Sequence, residues 1–225
     1  PPAMESQKTV YTLTKVGVVC YLNHNEISYS SPIIKRLLIN AFYSYNSQVY
    51  VPQTFDDFLI FVISSMDAKI IKNSLSRSAS SNLYVRQFQN EFYRCAIHRL
   101  GKFAYAYPDV GQLFGSHGYL DYYIPSNLSW AIELVRDSDK LQEHADRFSP
   151  DGKYSKIPMK EYKILNFCYC KNLEKQRLKA PKVKNEWLIL YNTDDDFVIL
   201  RYQIKTSQTA VVQKIQLRGH ELGNE

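Results

Sequence analysis

The sequence predicts an α+β, or mixed α/β, domain built on a mostly mixed sheet flanked by helices. Three observations carry this. In the first hundred residues apolar positions recur at three and four spacing, and after Gly101 the period changes to two. Beyond Gly101 a single helix-like stretch, 139–148, interrupts six strand-like runs. Tyr occurs 18 times and Gly only 8, a balance that favours aromatic-rich strands and helices over loops.

Taken in order, residues 9–24 (TVYTLTKVGVVCYLNH) alternate and carry β-branched side chains, so they read as strand. Ser31-Pro32 opens a helix, with Pro tolerated in its first turn. Ile33, Leu37, Leu38 and Phe42 mark its apolar side, and QVYVP follows as a short strand. This first segment, residues 5–53, reads either as a winged-helix-like module or as a small helix–strand appendage to the main domain.

The main domain then spans 54–225. Thr54 starts a helix running to about Ser74, with Asp57 placed for a capping interaction. FLIFVIS (58–64) is too short to span a membrane and reads as a buried helix face. SLSRSASSN (74–82) is a serine-rich break. A long helix covers about 83–100 and stops at Gly101, a C-terminal signal. FAYAYPDV, GYLDYYI, WAIELV, EYKILNFCY, EWLILYN and FVILRYQI are the strand candidates.

The formal net charge is +6 and the sequence pI about 9.0. Such a surplus fits a polyanionic partner and equally fits plain solubility. No run of 18 apolar residues exists, so no membrane span is expected. No signal peptide is read, and Pro1-Pro2-Ala3 ahead of Met4 resembles a vector scar, so a targeting segment could have preceded it. Four Cys, at 20, 95, 168 and 170, lack zinc-ligand spacing and read as reduced thiols.

The residues with chemical potential lie in a hairpin. Pro125-Ser126-Asn127-Leu128-Ser129 has turn composition. If it closes GYLDYYI onto WAIELV, Ile124 faces Trp130 and Asp121 faces Glu133. Two opposed carboxylates among Leu120, Tyr122, Ile132 and Leu134 repel each other, and a divalent cation, Mg²⁺ or Mn²⁺, relieves that conflict. A register differing by one would instead send one carboxylate to solvent. Glu91 borders the apolar side of the long helix and can reach the same ion, or else pairs with Arg94 or Arg99. Downstream, Arg136, Lys140, Gln142, His144 and Arg147 are candidates to meet a phosphate, with Lys140 and His144 on one helix face. Lys171, Lys175, Arg177, Lys179, Lys182 and Lys184 form a basic segment that reads as a phosphate grip, a nuclear localisation signal or a solvated loop.

RQFQNEFYR (86–94), PDVGQLFGSHGYLDYYI (108–124), WAIELVRDSDKLQEHADRF (130–148) and GKY (152–154) together resemble the C-terminal nuclease-like domain of Crinkler-type effectors, over about 83–167. That resemblance implies the PD-(D/E)xK, or restriction-endonuclease-like, superfamily and its mixed sheet. It also implies Glu91, Asp121 and Glu133 as the acidic metal ligands. It implies a Mg²⁺- or Mn²⁺-dependent nuclease acting on DNA, with RNA the second candidate. The setting it implies is a secreted effector in a host-cell nucleus, where a host nuclear protein is a further partner. TKVGVVCYLNHNEISYSSPIIKRLL is similar to the winged-helix-like tail that follows the ATPase of longer family members. No GxxxxGK[ST] loop occurs here, so an ATPase would belong to an upstream part of the parent protein.

One position departs from the pattern. The superfamily places Lys two residues after the Glu, and here Val135 stands there. A general cation would then come from Arg136 or Lys140. An Arg stabilises charge but does not accept protons. The alternative to an enzyme is therefore a catalytically inactive module of the same fold that binds nucleic acid or protein.

Overall fold

The structure is a computed structural model that describes residues 11–15, 19–23, 26–29, 52–73, 82–100, 104–173, 181–192, 195–203 and 210–218. The chain divides into two compact units, Pro1–Ser47 and Gln48–Glu225. No described helix is long and apolar enough to cross a membrane.

In the first unit, β1 (Val19–Asn23) and β2 (Glu26–Tyr29) pair antiparallel, with Val19 opposite Tyr29. Residues 11–15 are helical rather than extended as the sequence reading expects. Tyr11 and Leu13 alternate, but five residues are too few for that period to separate strand from helix. The expected helix after Pro32 and the strand over 48–52 lie outside the described residues, Pro52 excepted.

The second unit opens with α1 (Phe55–Ser64), which buries Phe55, Phe58, Leu59, Val62 and Ile63. This i, i+3, i+4, i+7, i+8 stripe is the one that faces a core. Thr54 caps it: its Oγ1 accepts from Asp57 N at 3.1 Å and donates to Asp57 Oδ2 at 2.7 Å. The single helix expected over 54–74 is broken. After a turn at 65–67, α2 covers Ala68–Asn73. Asp67 Oδ1 caps this second helix by accepting from Lys69 N at 2.8 Å. A distant segment holds the turn open, because Arg218 N donates to Met66 O at 3.1 Å and Arg218 O accepts from Ala68 N at 3.3 Å. Helix α3 (Asn82–Leu100) buries Phe88, Phe92, Cys95, Ala96 and Leu100.

Seven strands then form one open mixed sheet in the order β3 (Tyr107–Val110), β4 (Leu120–Ile124), β5 (Trp130–Arg136), β6 (Glu161–Tyr169), β7 (Glu186–Tyr191), β8 (Phe197–Gln203) and β9 (Ala210–Gln216). The β5–β6 and β6–β7 pairs are parallel and the other four antiparallel. The mixed α/β class read from the sequence is the class observed. Strand β9 was not among the six candidates. Its run AVVQKIQ buries only Ile215, so its hydrophobic pattern is weak.

One face of the sheet packs on helices. Phe55 stacks on Trp130 at 4.7 Å, Phe88 lies 5.0 Å from Phe167 and Phe92 lies 5.3 Å from Tyr122. Lys163, buried on this face, is neutralised by Asp56 Oδ1 at 2.8 Å. Another core cluster gathers Val110, Leu120, Tyr123, Ala131, Tyr154 and Ile157. Leu141 of α4 (Leu141–Asp146) packs against Val135 and Ile164. This helix is shorter than the 139–148 expected. Asp137, Ser138 and Lys140 before it adopt positive φ, which a helix does not permit.

Candidate active site

The hairpin closes in the register that its turn suggests. Ile124 lies opposite Trp130, Tyr123 opposite Ala131 and Tyr122 opposite Ile132. There the backbone ladder ends, and the next step is made by side chains. Asp121 Oδ2 accepts from Leu134 N at 2.7 Å, and Asp121 N approaches Glu133 Oε2 at 3.5 Å. Asp121 and Glu133 thus stand together, with Asp121 turned across the gap between the strands.

Glu133 is almost fully buried and has an enclosed carboxylate. Its Oε1 meets His144 Nδ1 at 2.6 Å, Arg147 Nη1 at 2.9 Å and the Tyr154 hydroxyl at 3.2 Å. Its Oε2 lies 3.1 Å from the same hydroxyl. His144 and Arg147 reach it because α4 begins immediately after β5 and turns back over the strand. Asn166 fixes that turn by accepting from Ser138 N at 3.0 Å and donating to Glu186 Oε1 at 2.7 Å. Tyr154 donates to Tyr119 O at 2.6 Å and accepts from Arg147 Nη1 at 3.3 Å. Tyr154 ends the GKY segment, to which the sequence reading gives no site role, and it arrives from an irregular segment 21 residues beyond Glu133.

Asp121, Glu133, His144 and Arg147 line a cleft of about 460 Å³ with Gln89, Tyr119, Leu134, Val135, Arg136, Asp137 and Asp139. Burial and the neighbouring Glu133 charge push the Asp121 carboxyl up to about 8. Burial and the same charge raise the Tyr154 hydroxyl, so it stays a neutral donor.

Glu91 is not in this cleft, which corrects its assignment as a third carboxylate. Its Oε1 accepts from Asp67 N at 2.7 Å, and Arg94 Nε donates to its Oε2 at 2.9 Å. The reason is helical geometry. Residues two apart lie about 200° round the axis, and α3 turns Gln89 toward the strands instead. Gln89 Nε2 donates to Asp121 Oδ1 at 2.9 Å. Glu91 therefore pins the α1–α2 turn, as its pairing with Arg94 allows.

The other candidates divide. Arg136 lines the cleft and also donates to Asp137 Oδ2 at 2.9 Å. Lys140 is exposed at the head of α4 and does not line the cleft. Gln142 is engaged on its own helix, donating to Asp146 Oδ1 at 2.8 Å. Lys171, Lys182 and Lys184 are exposed, and Lys175, Arg177 and Lys179 lie outside the described residues. Val135 packs with Leu141 and Ile164 and also borders the cleft, so an apolar side chain stands two residues after Glu133.

The donor set accommodates a divalent ion of limited protein coordination. Among the described residues no group of three or more His, Cys, Asp and Glu is placed to hold a metal. Two carboxylates stand together, however, and Mg²⁺ commonly takes one or two with water and phosphate completing its shell. The residues that could hold it are Asp121 and Glu133, whose oxygens now meet Leu134 N, Gln89, His144, Arg147 and Tyr154. Burial first and the Glu133 charge second raise the Asp121 proton affinity, and a cation there would favour the ionised form.

Compared with protein-family models, curated proteins and solved structures, the chain matches none.

Proposed function

We propose that the chain is a Mg²⁺- or Mn²⁺-dependent nuclease that hydrolyses phosphodiester bonds of DNA, with RNA the second candidate. The observation that carries this reading is the pairing of half-buried Asp121 with buried Glu133, in a cleft that also holds Arg136, Arg147 and His144. The mixed sheet flanked by helices and the sequence resemblance to Crinkler-type effectors support a restriction-endonuclease-like arrangement. The same resemblance underlies action in a host nucleus.

Each residue has a role in this reading. Asp121 and Glu133 hold the ion, which when bound supplies a water of lowered pKa and stabilises charge on a phosphate oxygen. Arg136, at the cleft wall, neutralises the phosphate. Arg147 and Tyr154 keep the Glu133 carboxylate in one orientation, and Gln89 does so for Asp121. His144, held through Nδ1, presents its other ring nitrogen for a proton of the attacking or leaving oxygen. Exposed Lys182 and Lys184 would add salt-dependent affinity for the backbone.

The test is cleavage of a plasmid and of circular single-stranded DNA with Mg²⁺ or Mn²⁺. Cleavage should vanish in EDTA and fall about a hundredfold or more in Glu133→Gln. Both DNAs left intact under every metal overturn the enzymatic reading.

A second reading, a catalytically inactive module that binds nucleic acid or protein, is favoured by one observation: Val135, buried in an apolar cluster, stands where the superfamily carries its Lys. Plasmid and single-stranded DNA both left intact, combined with a gel shift, would select it.

A further inference from the structure

Tyr119 is the only Phe, Tyr or Trp among the described residues that line the cleft, and it is 56% exposed. Its backbone is held from two directions. Tyr154 donates to its carbonyl at 2.6 Å. The preceding Gly118 donates to Ser116 Oγ at 3.2 Å, and Ser116 Oγ also bonds Lys153 O. At Gly118 the chain packs closely, since an added Cβ would meet the Lys153 and Tyr154 side chains at 3.0 Å and require them to shift. The residues that follow, Leu120, Tyr122 and Tyr123, turn into the core. A single exposed Tyr is ordinary on a protein surface. This one stands on a fixed backbone, beside two carboxylates and the Arg136 and Arg147 guanidinium groups.

We infer that Tyr119 is a stacking platform for a nucleobase, and that the cleft takes single-stranded nucleic acid. This deepens the nuclease reading and rests on it. The chemistry selects the strand type. An aromatic ring beside guanidinium groups gains affinity by covering a base face. Inside a duplex both faces of each base are already stacked, so only an unpaired or extruded base can offer one. Arg136 would meet the phosphate attached to that base.

The experiment measures binding of the full chain to three fluorescein-labelled probes, in Ca²⁺ and in EDTA. The probes are an oligothymidylate, an abasic strand of equal length and the thymidylate paired with its complement. Tyr119→Ala should weaken thymidylate binding about tenfold and leave the abasic strand unchanged. Tyr119→Phe, which keeps the ring, should bind like the parent. An equal loss on both single strands, no loss on either, or duplex binding as tight as the thymidylate overturns the inference. Plasmid cleavage that persists alongside such a result leaves the nuclease reading standing. Failure to bind any probe, with plasmid and circular single-stranded DNA both intact in every metal, overturns both.

Discussion

The Asp121 carboxylate accepts the Leu134 N–H at 2.7 Å at the step where the β4–β5 backbone ladder ends. It replaces a carbonyl that would ordinarily take that place, and it does so beside the buried Glu133. The arrangement has a cost that depends on proton concentration. The folded protein holds the Asp121 proton up to about pH 8, whereas an unfolded Asp releases it near 3.8. Between those values the native state binds more protons than the unfolded one, so stability falls as pH rises through that window. Urea unfolding in EDTA should show a decline of about 1 kcal/mol per pH unit or less. Asp121→Asn should abolish the slope. Saturating Mg²⁺ should also flatten it, because a bound cation stabilises the ionised pair. A slope unaffected by the metal would place Mg²⁺ elsewhere.

Glu91 bonds Arg94 and the Asp67 amide, away from the cleft. Glu91→Gln should therefore cost stability, about 2 kcal/mol from the weakened buried pair. Cleavage per folded molecule should hold within about twofold, a margin near 0.4 kcal/mol. Gln89→Ala should behave in the opposite way, with a small stability change and a loss of activity. The urea midpoint and the cleavage rate measured on the same preparations separate the two. Greater damage to cleavage from Glu91→Gln than from Gln89→Ala would return Glu91 to the site.

A Lys placed at Val135 should not raise activity. The position packs on Leu141 and Ile164 and is 4% exposed. Val135→Lys buries an ammonium among aliphatic groups, and a loss of about 3 kcal/mol or more is expected. Thermal unfolding should show this as a lowered midpoint, with no gain in cleavage at temperatures where the variant is folded. A stable, faster variant would mean that the ammonium turns into the cleft that Val135 borders.

Local features were legible in the sequence, and features made by distant segments were not. The turn at 125–129 gave the Ile124–Trp130 register by counting, and Thr54 with Asp57 marked a cap that is present. The helix break at 65–67 depends on Arg218, which no window around residue 65 contains. Asp67 carried a cap signal that the long apolar pattern masked. Tyr154 reaches Glu133 from a segment without periodicity, and Gln89 displaces Glu91 through a difference in helical angle that a borderline stripe does not resolve. The carboxylate pair was thus readable, and the groups that orient it were not.

Strand order in the sheet follows sequence order from β3 to β9. The four antiparallel pairs are therefore low in contact order and can zip as hairpins, whereas β5–β6 and β6–β7 must wait for long crossovers to close. Asp121 and Glu133 belong to the early class, because one five-residue turn joins their strands. Arg147 and Tyr154 belong to the late class, because they ride on the crossover between β5 and β6. The chain would thus assemble its repelling carboxylates before the groups that restrain them. Pulse-labelled hydrogen exchange should find β4–β5 amides protected before those of β6. A divalent ion present during refolding should then speed the first phase rather than the last.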